Sequence, residues 1–229
     1  MMNDKERRLK VLAQKRRSEV PPGYRCVNSF SNGKYDSDFV VPWTKSACNA
    51  DADLMIIAQD WASKNKLERA FNQEMADLGY DPRLETNKIL FEYLKKYMNL
   101  EFGETYATNV FPFIKSGGMS AKIPRRVLIK AAADYALPQI AIVSPRMVVC
   151  LGIGTFDAIF AALAEKNGQG KTRRLSWGDY ERAHSVTKHD QTEIYGVTHH
   201  GNHGKIKRKN KIDAEWKKLA RRLDELRNR

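Results

Sequence analysis

The ten residues Leu54–Ser63, LMIIAQDWAS, constrain what this chain folds into more than any other stretch. Leu54, Met55, Ile56 and Ile57 form a short apolar run without charge, the mark of a strand buried on both faces. Gln59, Asp60, Trp61 and Ser63 follow at once as a polar and aromatic cluster. In open α/β sheets ligands bind beyond the carboxyl ends of the strands. A carboxylate at Asp60 would lie beside low-dielectric sheet, held ionised and aimed at a ligand. Alternatively, Asp60 simply caps the helix expected over residues 64–78.

Three later stretches repeat the pattern. Thr105–Val110 is β-rich, contains Asn109 near its end and runs into Phe111-Pro112-Phe113. Met147–Leu151 is a second apolar run and ends at Gly152-Ile153-Gly154. Ile194–Thr198 leads into His199-His200-Gly201-Asn202-His203-Gly204. Strands that alternate with helical patterns imply βαβ crossovers and a mostly parallel sheet of four strands. Such a sheet gathers a carboxylate, an amide, a glycine turn and an imidazole on one rim.

The rest of the chain is read around that rim. Residues 4–17 suggest a basic helix, and residues 24–50 a loop fastened to the body by Tyr35, Phe39, Val40, Val41 and Trp43. Ile89, Leu90, Tyr93, Leu94 and Tyr97 give the helix at 85–98 an apolar stripe. Residues 124–143 read as helical, with Pro138 expected to kink or break the helix. Thr155–Lys166 is a helix with Thr155 as a candidate cap. Ile212, Trp216, Leu219, Leu223 and Leu226 mark a terminal amphipathic helix. Three segments follow: a basic helix and loop at 1–50, the α/β body at 51–204, and a basic helix at 205–229 that belongs to the body.

The formal charge of +13 is unevenly placed. Residues 1–25 hold 8 Lys/Arg against 3 Asp/Glu, a net of +5, and residues 205–229 hold 11 against 4, a net of +7. Residues 26–204 therefore carry only +1. A near-neutral body with two basic ends suits a polyanionic partner, nucleic acid first among them. No run of about 18 apolar residues exists, so no membrane span is expected. The start lacks an apolar signal core, and an intracellular location is expected. Cys26, Cys48 and Cys150 are too far apart for CxxC metal spacing and fit a reducing compartment.

Two constellations invite cofactor readings. Gly152-x-Gly154 follows a strand and opens a helix, as a dinucleotide fingerprint does, but Asp157 occupies the position of its third glycine. The helix start remains suited to a phosphate. His199, His200 and His203 suggest a metal, yet they lie on a glycine-rich loop without an obvious carboxylate. Neither a cofactor nor a metal is expected.

Taken together, these motifs resemble the uracil-DNA glycosylase superfamily over roughly residues 54–204. Leu54–Trp61 looks like the water-activating motif after the first strand, where some members carry Gly-Gln-Asp-Pro-Tyr. Gln59 and Asp60 match it, while Ala58 and Trp61 replace the Gly and the Pro. Thr108-Asn109 resembles the segment whose Asn reads the base. Pro138-Gln139-Ile140, Pro145 and Val148–Gly152 resemble the helix and strand that end in Leu-Gly. Thr198-His199-His200 resembles the Thr-x-His of the final motif and makes His200 the counterpart of its catalytic His. The usual His-Pro-Ser is His200-Gly201-Asn202 here, with no Leu after it to wedge the base stack. The iron–sulfur cysteines of some branches are absent.

The resemblance implies a three-layer α/β/α sandwich on a four-stranded, mostly parallel sheet. It also implies a monomeric DNA repair enzyme that cleaves the N-glycosidic bond of a flipped uracil or related damaged base. Asp60 would stabilise an oxocarbenium-like sugar and orient water, and His200 would hydrogen-bond the departing base. Asn109 would read the base, with Gln59, Trp61, Phe71 and Phe111 lining its pocket and a phenyl ring stacking on it. Ordinary core packing is the alternative for both Phe71 and Phe111. DNA contacts are expected from Lys115 and Ser116 in a polar loop, from Gly152 and Gly154, and from Asn202, His203, Lys205, Lys207 and Arg208. A nucleic-acid-binding protein that keeps the fold without the activity is the competing class.

Overall fold

The computed structural model describes residues 3–176, 186–199 and 202–229. Its centre is a five-stranded sheet of order β2-β1-β3-β5-β4. The strands are β1 (Leu54–Asp60), β2 (Tyr106–Phe111), β3 (Met147–Leu151), β4 (Val186–His189) and β5 (Thr192–Val197). β1 pairs in parallel with β2 and β3, and β3 in parallel with β5; β4 alone runs antiparallel, as a hairpin with β5. The expected four strands are therefore five. The additional one, Val-Thr-Lys-His, is short and polar at three of its four positions, as an edge strand tends to be, and carries no apolar run to announce it. The four parallel strands are those read from the apolar runs, and every residue of β2 and β3 is buried.

Eight α-helices accompany the sheet among the described residues: α1 (Asp4–Ser18), α2 (Lys64–Leu67), α3 (Gln73–Leu78), α4 (Glu85–Tyr93), α5 (Arg125–Ala131), α6 (Leu137–Val143), α7 (Ile153–Lys166) and α8 (Asn202–Arg227). Where one helix was expected over 64–78 there are two short ones, because Asn72 caps α3 by accepting from the Met75 amide. Pro138 does not break its helix. A π turn at Ala132–Ala136 joins α5 to α6 and places Pro138 in the first turn of α6, where its missing N–H costs little. Thr155 is not a cap: it lies inside α7, and its hydroxyl donates to the Leu151 carbonyl at 2.9 Å.

The segments at either end are fastened by buried groups. On α1, Arg16 is fully buried and donates to the carbonyls of Val40 and Phe39, to Cys26 Sγ and to Asp36 Oδ1. Part of the amino-terminal positive charge is thus spent inside the protein. Ile212, Trp216, Leu219, Leu223 and Leu226 of α8 are all buried. The Trp216 ring meets Tyr93 edge-on with centroids 5.7 Å apart.

On β5, the buried Glu193 accepts two hydrogen bonds from Arg222 of α8, at 2.6 and 2.8 Å. Those bonds hold its carboxyl at about 2, below the ordinary 4.5. A depressed folded-state value stabilises the fold above the unfolded value and is lost as pH falls toward the folded one. Acid titration of Arg222→Met should therefore lack part of the wild-type stability loss between pH 4.5 and about 2. Equal pH dependence of the two melting temperatures would discount the pair.

Candidate active site

Because β1, β2, β3 and β5 are parallel, their carboxyl ends share one edge of the sheet. Asp60 is the last residue of β1, one step nearer the sheet than a position in the following loop. Asn109 lies on β2 opposite Ala58, and Asp60 lies opposite Phe111. Residues two apart on a strand share a face, so Ala58, Asp60 and Asn109 project to the same side. Gly152 follows β3, and His199 stands two residues beyond β5. Asp60, Asn109, Gly152 and His199 all line one cavity of about 830 Å3. That volume is within the usual range for a small-molecule or nucleotide pocket.

Three carboxylates line this cavity, and their partners separate them. Asp157 accepts from Arg125 through both oxygens, at 2.7 and 3.2 Å, and from the Leu175 amide. Asp81 accepts from Lys66 and from Arg83; burial alone would raise its pKa, but these bonds outweigh it and hold the carboxyl at about 2. Both are structural clamps. Asp60 differs. Its Oδ1 accepts from Gln59 Nε2 at 3.0 Å, while Oδ2 is buried and takes no hydrogen bond among the described residues. Lys115 Nζ nevertheless stands 2.9 Å from Oδ2, and both side chains are more than nine-tenths buried. The contact is therefore a close charge pair without hydrogen-bond alignment.

Asn109 is 2% exposed, and its Oδ1 accepts from no group among the described residues. A buried acceptor left open costs on the order of 1–3 kcal/mol. An open acceptor on a cavity wall is most economically explained by a ligand that donates to it.

The glycine turn after β3 serves close approach. Gly152 has φ +93, a left-handed value that favours glycine, and a Cβ there would come within 3.3 Å of His199 Cβ. His199 thus packs directly over the turn with its side chain still partly exposed, and desolvation against the turn lowers the imidazole pKa and favours the neutral ring. Its backbone is set by α8: Glu215 accepts from both the amide and the hydroxyl of Thr198. Gly154 lies against Gln59 Oε1, and the supposed third glycine position, Asp157, is engaged by Arg125. The Gly-x-Gly turn is accounted for without a dinucleotide.

Other residues singled out from sequence fall differently. Trp61 lines the cavity, its indole N–H donating to the Gly79 carbonyl at 2.7 Å and its ring lying edge-on to Tyr35. Gly79 has φ +75, and a Cβ there would meet the Pro42 carbonyl oxygen at 1.9 Å. Phe111 is fully buried between Tyr24 and Phe113 and does not reach the cavity. Phe71 packs on Tyr35 beneath Lys34 and likewise stands off the cavity wall. Core packing therefore accounts for both phenyl rings. The aromatic wall is formed by Trp43, Trp61 and Tyr80.

Lys115, expected in a solvated loop to meet phosphate, is 3% exposed and faces Asp60. A short bridge between Ser63 and Lys115 draws that loop in, and Lys115 Nζ also donates to the Met119 carbonyl at 2.6 Å. Ser116 adjoins it, off the cavity wall. His200 lies outside the described residues, as do the side chains of Asn202, His203, Lys205, Lys207 and Arg208, whose segment is described as helix backbone. Sequence reasoning did not single out His199 as a wall residue, nor Lys115 as the partner of Asp60.

Among the described residues, no helix is long and apolar enough to cross a membrane, and no group of three His, Cys, Asp or Glu is arranged to hold a metal. No protein-family model matches the chain, and no curated protein matches it in sequence.

Proposed function

We propose that this protein is a DNA glycosylase of the uracil-DNA glycosylase type, an α/β/α sandwich that cleaves the N-glycosidic bond of a flipped uracil or related base. The observation that carries the reading is the pairing of Asp60 and Asn109. Adjacent strands hold a carboxylate with an unbonded oxygen and an amide with an unbonded oxygen on one face, at one cavity. Uracil presents an N3–H donor beside the O4 acceptor, which Asn109 complements by accepting through Oδ1 and donating through Nδ2. Cytosine presents an acceptor at N3 and a donor at N4, the reverse. Asp60 would then face the sugar, where the transition state carries positive charge. Neutral His199 on the cavity wall, or His200, which follows it in the sequence, would supply a donor to the departing base.

The test is incubation with a uracil-containing oligonucleotide followed by alkali, with strand breakage at the uracil expected. Intact strands would refute the activity. Lys115 favours one other reading, because its ammonium stands against Asp60 Oδ2, one of the two oxygens available to orient a water. A protein that binds DNA without cleaving it would retain affinity and yield no abasic sites.

Asn109→Asp is expected to weaken selection for uracil, since an ionised Asp cannot donate to O4. Parallel cleavage of uracil- and cytosine-containing strands reads this out; unchanged selectivity would remove Asn109 from base recognition. The basic start of α8 is expected to supply phosphate contacts. Neutralising Lys205, Lys207, Arg208 and Lys209 together should make the slope of log K against log salt shallower by about 0.9 per lost contact. An unaltered slope would mean that this segment does not meet the backbone.

A further inference from the structure

We propose that Lys115 is a nucleophile, and that the site is a glycosylase with an attached lyase activity that nicks the strand through an imine on Lys115. The inference rests on the glycosylase reading and extends it. It starts from what occupies the place next to Asp60. An attacking group must stand within reach of Asp60 and open to the cavity, and the side chain found there is the amine of Lys115, 2.9 Å from Oδ2. Lys115 lines the cavity together with Asn109 and His199. Its position is held by the bridge to Ser63 and by the bond from Nζ to the Met119 carbonyl. Asp60 Oδ2 takes no hydrogen bond among the described residues, so a small rotation of either side chain would let it receive a proton from that amine. Burial favours the free amine of a lysine, and a carboxylate within reach can act as the general base that takes its proton.

The steps balance without any added oxidant or reductant. The ammonium gives a proton to Asp60, and the free amine attacks C1′. The C1′–N1 bond breaks, its electron pair leaves with the base, and the base regains a proton. The remaining N–H proton passes to O4′ as the C1′–O4′ bond opens, leaving an imine between C1′ and Lys115. Loss of a C2′ proton expels the 3′ phosphate and nicks the strand. Water then hydrolyses the imine, restoring the amine and releasing an unsaturated aldehyde end. On a strand that already lacks its base, the same amine condenses with the C1′ aldehyde and loses water.

The experiment uses the full chain with two oligonucleotides, one carrying uracil and one carrying a preformed abasic site, each with and without borohydride. Borohydride reduces an imine to a stable amine, so a trapped protein–DNA adduct is expected on both, with the attachment mapped by peptide mass to Lys115. Strand breakage without alkali is expected when borohydride is left out. Lys115→Gln, checked for folding by its melting transition, should lose at least about 10²-fold in trapping. No adduct on the abasic strand, or an adduct mapped to another amine, overturns the proposal whether or not the variant folds. Uracil release with neither trapping nor nicking leaves the glycosylase reading standing and sinks only the lyase. Trapping on the abasic strand with an untouched uracil strand does the opposite.

Discussion

Asp60→Asn is expected to lower single-turnover release of uracil by about 10²–10⁴-fold, the range for loss of a positioned acid–base group. Asn keeps the shape of Asp60 and can still accept from Gln59, so the change removes charge rather than volume. Whether C1′ is captured by water or by the Lys115 amine, the step needs a carboxylate at this point to take a proton from the attacking group. The substitution also leaves the Lys115 ammonium without its counter-charge in a site where both side chains are more than nine-tenths buried. Removing one partner of a buried pair typically costs about 3–5 kcal/mol. Rates must therefore be compared at a temperature where circular dichroism reports both proteins folded. DNA affinity should change little, because phosphate contacts dominate it. A folded Asp60→Asn protein that releases uracil at the wild-type rate would remove Asp60 from the chemistry.

The largest loss of stability is expected from Trp216→Ala, at about 3–5 kcal/mol. The indole is 0% exposed and packs edge-on against Tyr93, so truncation would leave a cavity between α8 and the π turn that follows α4. Urea unfolding followed by tyrosine and tryptophan fluorescence measures the shift in midpoint. Because Glu215, next to Trp216, holds Thr198 from below, the same change should also loosen the loop that presents His199. A midpoint shift equivalent to less than about 1 kcal/mol would mean that α8 is not part of the cooperative core.

Two of the parallel strands, β1 and β3, were legible because a strand buried on both faces is built largely of apolar residues, and Leu54–Ile57 and Met147–Leu151 say so directly. β4 was not, since Val186-Thr-Lys-His189 owes its conformation to pairing with β5 rather than to any pattern of its own. Asp60 and Asn109 could be placed on one rim from topology alone. Lys115 could not, because a lysine before Ser-Gly-Gly reads as solvated, and only tertiary packing closes it onto Asp60. The two adjacent imidazoles of His199 and His200 are alike in sequence terms; it is the fit of His199 over Gly152 that sets it on the cavity wall. Phe71 and Phe111 misled for a related reason: an aromatic near a site and an aromatic in a core have the same composition, and Tyr24, Tyr35 and Phe113 decide between them.

Gly79 shows how far the site's geometry extends from the residues that would touch a ligand. Its carbonyl fixes the Trp61 indole, and the space where its side chain would be is filled by the Pro42 backbone. The amino-terminal segment and the cavity wall therefore meet at a residue that contributes no side chain to either. A side chain at Gly79 would have to displace the Pro42 backbone and, with it, the carbonyl that holds Trp61, so both faces of the joint would shift together.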